Sequence, residues 1–405
     1  MSLDQQIDQL INPLARGLSD IIFYQINIFG QGFPLIVLWL VSAAVFFTCY
    51  LGFINIRGFS KAISIVSGKN GKSSGPGEIS HFHALSTAIS GTVGVGNIGG
   101  VAVAISIGGP GAAFWLFMAG FLGMSTKFVE CTLGVKYRRH NPDGSVSGGP
   151  MYYLERYLLD RGFPQLGKLL GGFYALALVI GCFGIGNMFQ SNQAYVQVLG
   201  ITGGENSFFA DKSWLFGLLL GGAVAAVIIG GIRSIARVAS KIVPFMAVLY
   251  VFSAVLIIAM SSEHVVGAII LIISSAFETS SMTGGAIGAM IVGFQRAVFS
   301  NEAGIGSASI AHSAVKTDEP VTEGLVSLLE PFIDTMVVCT LTSLVIVTTA
   351  YPNGLMDGGL EGIALTSAAF AHHISWSPYI ISVAALLFAF STSIAWAYYG
   401  LKGWT

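Results

Sequence analysis

Ser90 to Gly100 reads Ser-Gly-Thr-Val-Gly-Val-Gly-Asn-Ile-Gly-Gly, with five glycines in eleven positions, inside an apolar run from about Phe82 to Ile107. A run of that length crosses a bilayer, since a spanning helix needs roughly 20 apolar residues. Each glycine weakens a helix by about 1 kcal/mol relative to alanine, so the middle of the run is expected to open. Opened backbone at membrane depth persists only where it is buried in protein or lines a watery cavity. There, freed N–H groups hold an anion and freed C=O groups hold a cation. The predicted chemistry is ion and zwitterion binding by main chain near the bilayer midplane, at a broken helix of the kind secondary transporters use.

Two nucleotide readings of the glycines fail. Gly94-Val95-Gly96-Asn97-Ile98-Gly99 fits G-x-G-x-x-G, but its flanks are apolar helix and no acid follows before Glu130, so the strand and the ribose-binding acid of a dinucleotide fold are missing. Gly68-Lys69-Asn70-Gly71-Lys72-Ser73 resembles the end of a P-loop, but the required first glycine would fall at Val66. Close helix packing through glycine is the remaining bland account of Gly91–Gly100, and it does not call for Thr92 and Asn97 in the same place.

Three further groups carry polar chemistry within apolar runs. Asn187, Gln190 and Asn192 stand beside Gly181, Gly184 and Gly186. They either bond between helices or line a site, in which case Gln190, both donor and acceptor, is the best candidate for a polar substrate. Ser391, Thr392 and Ser393 precede Trp396, and Thr392 shares a helix face with Trp396 four residues on. Their hydroxyls either ligate a hard cation such as Na⁺ or bond back to their own helix. Glu278, Glu330 and Asp334 are acids in predicted spans, where acids are costly and functional by default. Glu330 and Asp334 read as a pair near a helix end, with Arg296 or Lys316 as partners. No Ser-His-Asp set or metal-ligand spacing emerges, His312, His372 and His373 read as scattered, and an enzyme is not expected.

The elements that must position these residues are membrane helices. The 405 residues are 54% hydrophobic and only 10% charged, with a mean hydropathy of +0.75; soluble domains carry about 25% charged residues. The chain is an all-α polytopic membrane protein. A net charge of −1 gives no footprint for nucleic acid. Cys49, Cys131, Cys182 and Cys339 fall singly in apolar runs and read as buried thiols. Residues 1–33 read as an N-terminal amphipathic segment without a signal-peptide pattern. Spans are predicted at about 34–57, 82–107, 111–135, 167–200, 214–231, 240–260, 264–295, 322–350 and 376–401, with a shorter surface or re-entrant helix at Gly362 to Ala371. Basic residues then fall almost wholly on one side: Arg57, Lys61, Lys69 and Lys72; Lys136 to Lys168; Arg233, Arg237 and Lys241; Arg296 and Lys316; Lys402. The positive-inside rule makes that side cytoplasmic and the N-terminus extracytoplasmic. The seventh span is interrupted at Phe277-Glu278-Thr279-Ser280-Ser281-Met282-Thr283-Gly284-Gly285. Two interrupted helices five spans apart point to inverted halves: an extra helix at 34–57, a first repeat at 80–260 and a second at 261–405.

Several stretches resemble the alanine or glycine:cation symporter family. They are Gly108-Gly109-Pro110-Gly111-Ala112-Ala113-Phe114-Trp115; Arg296 through Phe299-Ser300-Asn301-Glu302-Ala303-Gly304 to His312; Phe332-Ile333-Asp334-Thr335; Leu365-Thr366-Ser367; and Phe388-Ala389-Phe390-Ser391-Thr392 with Trp396, Tyr398, Tyr399 and Gly400. The resemblance covers nearly the whole chain. It implies a LeuT-like inverted-repeat transporter fold, and because family members continue through about two more spans, a second repeat here that lacks the last two helices. It implies that backbone N–H groups of Val95 and Gly96 receive a substrate carboxylate. Gln190, Phe277, Ser280, Thr392 and Trp396 would line an amino-acid pocket. Carbonyls of Ser90 and Val93 with hydroxyls of Ser391 and Thr392 would hold Na⁺. The expected activity is import of alanine or glycine with Na⁺ across the inner membrane by alternating access, with H⁺ coupling through Glu278 and an ion channel as the alternatives. The oligomeric state is left open.

Overall fold

The computed structural model describes residues 12–13, 16–28, 31–69, 75–278 and 285–405. After a two-stranded hairpin, β1 (Gln25–Ile28) and β2 (Gln31–Pro34), the chain is helical: α1 Leu35–Tyr50, α2 His81–Thr92, α3 Gly99–Gly108, α4 Gly111–Lys136, α5 Pro164–Ile201, α6 Ser213–Ile228, α7 Gly231–Met260, α8 Ser262–Ser275, α9 Gly285–Asn301, α10 Ala308–Ser313, α11 Pro320–Ala350, α12 Gly362–Ala371 and α13 Ser377–Trp404. Among the described residues, α4, α5, α7, α11 and α13 are long and apolar enough to span a membrane singly. Residues 81–108 do so together as a broken span, bent by 62°.

Local sequence sets these boundaries. Ser80 caps α2 by accepting the His83 N–H at 3.3 Å. Gly109, at φ 70°, stops α3, and Pro110 starts α4 immediately after. α4 is the central post: α1, α9, α10 and α11 all pack on it. Small residues permit that crowding. A Cβ on Gly120 would lie 2.8 Å from the Thr335 side chain, one on Gly134 2.9 Å from Ser309, and one on Gly293 2.7 Å from the Ala112 carbonyl.

The expected seventh span, 264–295, is not one helix. α8 ends at Ser275 and α9 begins at Gly285, while residues 279–284, including Ser280, lie outside the described residues. α8 has only 14 residues, about 21 Å at 1.5 Å per residue, so it does not cross alone. Arg296, expected in a cytoplasmic loop, lies inside α9. On one face of the bundle Arg138 donates to the carbonyls of Pro76, Ser313, Val315 and Thr317, and Lys402 donates to the Val146 carbonyl.

Candidate functional site

α2 ends because Val93 and Gly94 leave helical geometry for extended backbone. A single tight turn, Val95–Asn97, follows before α3 resumes. The exposed main-chain groups find partners from four other elements. The Gly94 N–H donates to Asn97 Oδ1 at 2.9 Å, and the Val95 N–H to Gln190 Oε1 at 3.1 Å. Trp396 Nε1 donates to the Gly91 carbonyl at 3.2 Å. Thr342 and Thr366 donate to the carbonyls of Asn97 and Ile98, each at 3.0 Å. α12 therefore closes over the break, and a Cβ on Gly99 would meet its Ile363 nitrogen at 2.9 Å. Every freed group named here is satisfied inside the protein, as lipid surroundings require.

Gln190 reaches Val95 because α5 widens into a π-type turn over Gly184–Met188, a local insertion frequent at functional sites. Gly186 in that turn lets Trp396 lie flat on the helix; a Cβ there would sit 2.4 Å from the Trp396 Cβ. A Cβ on Gly94 would be 3.0 Å from both Gln190 Oε1 and Thr392 Oγ1. Thr392 Oγ1 is buried without a hydrogen-bond partner among the described residues. Ser90 Oγ donates to the Ser391 carbonyl at 2.6 Å, while the Ser391 hydroxyl bonds back to Phe388 in its own helix at 3.0 Å.

The gap between α8 and α9 falls where the sequence predicts an interruption, at 277–285; a second interruption lies at 302–307, between α9 and α10. Glu302 has φ 56°, and Gly304 and Gly306 have φ 96° and 91°. A left-handed glutamate is uncommon and marks a position held by its surroundings. Glu302 accepts from the Ser307 hydroxyl, the Ala303 N–H donates to Asn301 Oδ1 at 2.9 Å, and the Gly304 N–H donates to Glu130 Oε1 at 2.6 Å.

Asp334, fully buried on α11, joins the two interruptions. Its Oδ1 accepts from Asn97 Nδ2 at 2.6 Å, and its Oδ2 from Ser300 and Thr335 hydroxyls at 2.7 and 2.6 Å. Glu330 is not its solvated neighbour at a helix end: it is fully buried and accepts from Lys127 Nζ at 2.9 Å. Neither Arg296 nor Lys316 takes that role.

Ser90, Val93, Val95, Gly96, Gln190, Ser391, Thr392 and Trp396 thus surround one break. Phe277 does not join them. It is 57% exposed and packs against Phe114 and Trp115 at the start of α4; the ten residues of α3, about 15 Å, separate that end from the break. Phe299 stands there instead, 3.3 Å from where a Gly96 Cβ would be and edge-on to Phe189. A cavity of about 170 Å³ adjoins it, lined by Tyr174, Ile185, Phe299, Glu302, Ile305 and Trp396. That is below the roughly 300–1,000 Å³ of drug-sized pockets and suits a small solute.

A model of the sodium:alanine symporter family matches residues 17–405. The chain belongs to this family. The sodium/alanine symporter AgcS of Methanococcus maripaludis is 42% identical over 93% of this chain and 81% of its own length. The probable sodium/glutamine symporter GlnT of Bacillus subtilis is 35% identical over 90% and 73%. The putative sodium/proton-dependent alanine carrier protein YrbD of the same organism is 36% identical over 87% and 72%. The crystal structure of MhsT in complex with L-phenylalanine superposes with a TM-score of 0.58 over 81% of this chain and 73% of that one, at 19% identity, a likeness of fold. The protein is therefore a multi-pass membrane transporter of LeuT-like fold, an amino-acid:cation symporter and not an enzyme.

Proposed function

We propose that this symporter imports a small neutral amino acid, alanine or glycine, together with Na⁺ by alternating access. The observation that carries the reading is the convergence at Gly94, where opened main chain, Gln190 and the unpartnered Thr392 hydroxyl meet. In this reading the substrate carboxylate takes the Val95 and Gly96 N–H groups in place of the Gln190 oxygen, and the Gln190 amide turns its Nε2–H₂ to donate to it. The side chain faces Trp396 and Phe299, beside the cavity of about 170 Å³ they line. Na⁺ takes Thr392 Oγ1 and the carbonyls of Ser90 and Val93, which lie where α2 ends and lose their helical partners. Ser391 contributes its hydroxyl only after turning away from Phe388. The names of two relatives support Na⁺, one of them with alanine and the other with glutamine. Ion and substrate share one broken helix, so each stabilises the geometry the other needs, which is reciprocal coupling.

The two interrupted segments belong to inverted repeats, 80–260 and 261–405, with the helix in 34–57 outside them. The bilayer is the inner membrane, and the face gathering Arg138, Lys316 and Lys402 is cytoplasmic. Uptake of labelled alanine into proteoliposomes, under an imposed Na⁺ or H⁺ gradient and with competing amino acids, tests the reading. Saturable uptake that needs the Na⁺ gradient and is blocked by glycine is expected. Uptake driven by ΔpH without Na⁺ would sink the Na⁺ assignment, and non-saturating flux would indicate a channel.

Two single-site results follow. Gln190→Ala is expected to weaken alanine binding by about tenfold or more, the scale of one hydrogen bond to a charged group, read as the concentration for half-maximal uptake. Thr392→Ala should raise the Na⁺ concentration required for uptake, and an unchanged Na⁺ titration would remove Thr392 from the ion site.

A further inference from the structure

Glu323 is fully buried near the start of α11 and holds a histidine on each side. One carboxylate oxygen pairs with His312 Nδ1 at 2.6 Å and the other with His81 Nδ1. His81, in the first turn of α2, lies on the wall of an open cavity of about 550 Å³ shared with Glu78, His83 and Lys316. On the inner side, His312 Nε2 and Glu330 Oε2 lie 4.0 Å apart. Both are buried, and neither has a hydrogen-bond partner among the described residues. The other Glu330 oxygen holds Lys127. A line of two-sided proton carriers therefore runs inward from an open cavity. Its only join without a hydrogen bond is the one where two orphaned atoms face each other. A static polar bracket has no reason to leave those two atoms unpaired, because an orphaned buried polar atom costs about 1–3 kcal/mol.

We propose that His81, Glu323 and His312 form a proton relay between that cavity and the Glu330 carboxylate. A proton from water binds His81 Nε2 as the Nδ1 proton passes to Glu323. The Glu323 carboxyl, turning about its Cγ–Cδ bond, delivers that proton to His312 Nδ1, and His312 Nε2 gives one to Glu330 Oε2, directly after a small approach or through one water. Each carrier accepts one proton and releases one, so only N–H and O–H bonds change. Around the line stand Arg138, beyond α4 and close enough to act on Glu323, and Lys127 and Glu130 on α4, with Glu302 opposite Lys127. A proton on Glu330 weakens its hold on Lys127, the cation that also faces Glu130, and Glu130 accepts the Gly304 N–H. Proton arrival thus bears on the second interruption.

The effect on turnover rests on the transport reading above. The test is exchange of labelled alanine in proteoliposomes carrying the full chain in one orientation, with equal Na⁺ on both sides. The pH of each face is varied separately between about 6 and 8. The exchange rate is expected to change several-fold with pH on the Lys316 face and to stay level with pH on the other. His81→Gln and His312→Gln should keep exchange and lose that one-sided dependence. Variants that slow exchange but retain the one-sided profile would reduce the residues to structural ones and overturn the relay, as would a wild-type profile that is flat or equal from both faces. His81 is partly exposed and its glutamine variant is the one expected to fold without difficulty, so it decides the matter if the buried variants do not. Wild-type protein that exchanges no alanine at any pH would instead remove the transport reading, and the relay's effect with it.

Discussion

Asp334→Ala is expected to abolish alanine uptake, lowering it by more than about a hundredfold. The carboxylate collects donors from Asn97, Ser300 and Thr335, and so ties the first interruption to the second. Removing one partner from a buried charged network costs about 3–5 kcal/mol, and each 1.36 kcal/mol is tenfold in an equilibrium or rate. Asp334→Asn is expected to fare little better. Every neighbour named offers a hydrogen, and the amide would turn one acceptor into a donor facing them. Uptake, read beside the elution profile of the purified variant, separates lost coupling from lost folding. A well-folded Asp334→Asn protein with wild-type uptake would show that the bridge between the breaks is dispensable.

Lys127→Ala is expected to destabilise the protein most. Lys127 is fully buried and is the cation opposite Glu330, with Glu130 and Glu302 also facing it. Its loss leaves buried carboxylates without a countercharge, again about 3–5 kcal/mol. At about 2 °C per kcal/mol for a large domain, the thermal midpoint should fall by about 6–10 °C. The double variant Lys127→Met/Glu330→Leu should recover part of that loss, since an apolar pair of similar volume often replaces a buried ion pair without penalty. Equal midpoints for wild type and Lys127→Ala would contradict a buried pair.

Much of this site was legible in residue types. Five glycines with Asn97 announced the first break, because no ordinary spanning helix tolerates that composition. Gln190 and Thr392 stood out as amide and hydroxyl in apolar runs, and α12 was recognised as too short to span. The helix does stop between Ser275 and Gly285, where the sequence places its second break, but the opened backbone next to Ser300 and Asp334 lies at 302–307. Phe277–Gly285 and Ser300–Ser307 have similar small and polar content, and periodicity does not say which one is buried. In the later segment Glu130, from α4, and the neighbouring Asn301 satisfy the main chain. Ending the seventh span at 295 also put Arg296 in a loop, whereas α9 runs on to Asn301. Lys127 went unremarked because one lysine near the end of an apolar run reads as an approach to the interface. Its spacing from Glu130, three residues on the same helix face, was the available signal. Asp334 and Glu330 read as a pair near a helix end because spans often end in charges, whereas partners on other elements, Asn97 and Ser300 for one and Lys127 for the other, bury both.

The most direct measurement is a cryo-EM map of the protein in lipid nanodiscs with saturating L-alanine and Na⁺, compared with one lacking both. Density for a zwitterion against the Val95 and Gly96 nitrogens is expected, with the Gln190 side chain moved from its present hydrogen bond and a feature within ligand distance of Thr392 Oγ1. Alanine density at Phe277 and Phe114, with residues 90–100 wound into continuous helix, would contradict the account.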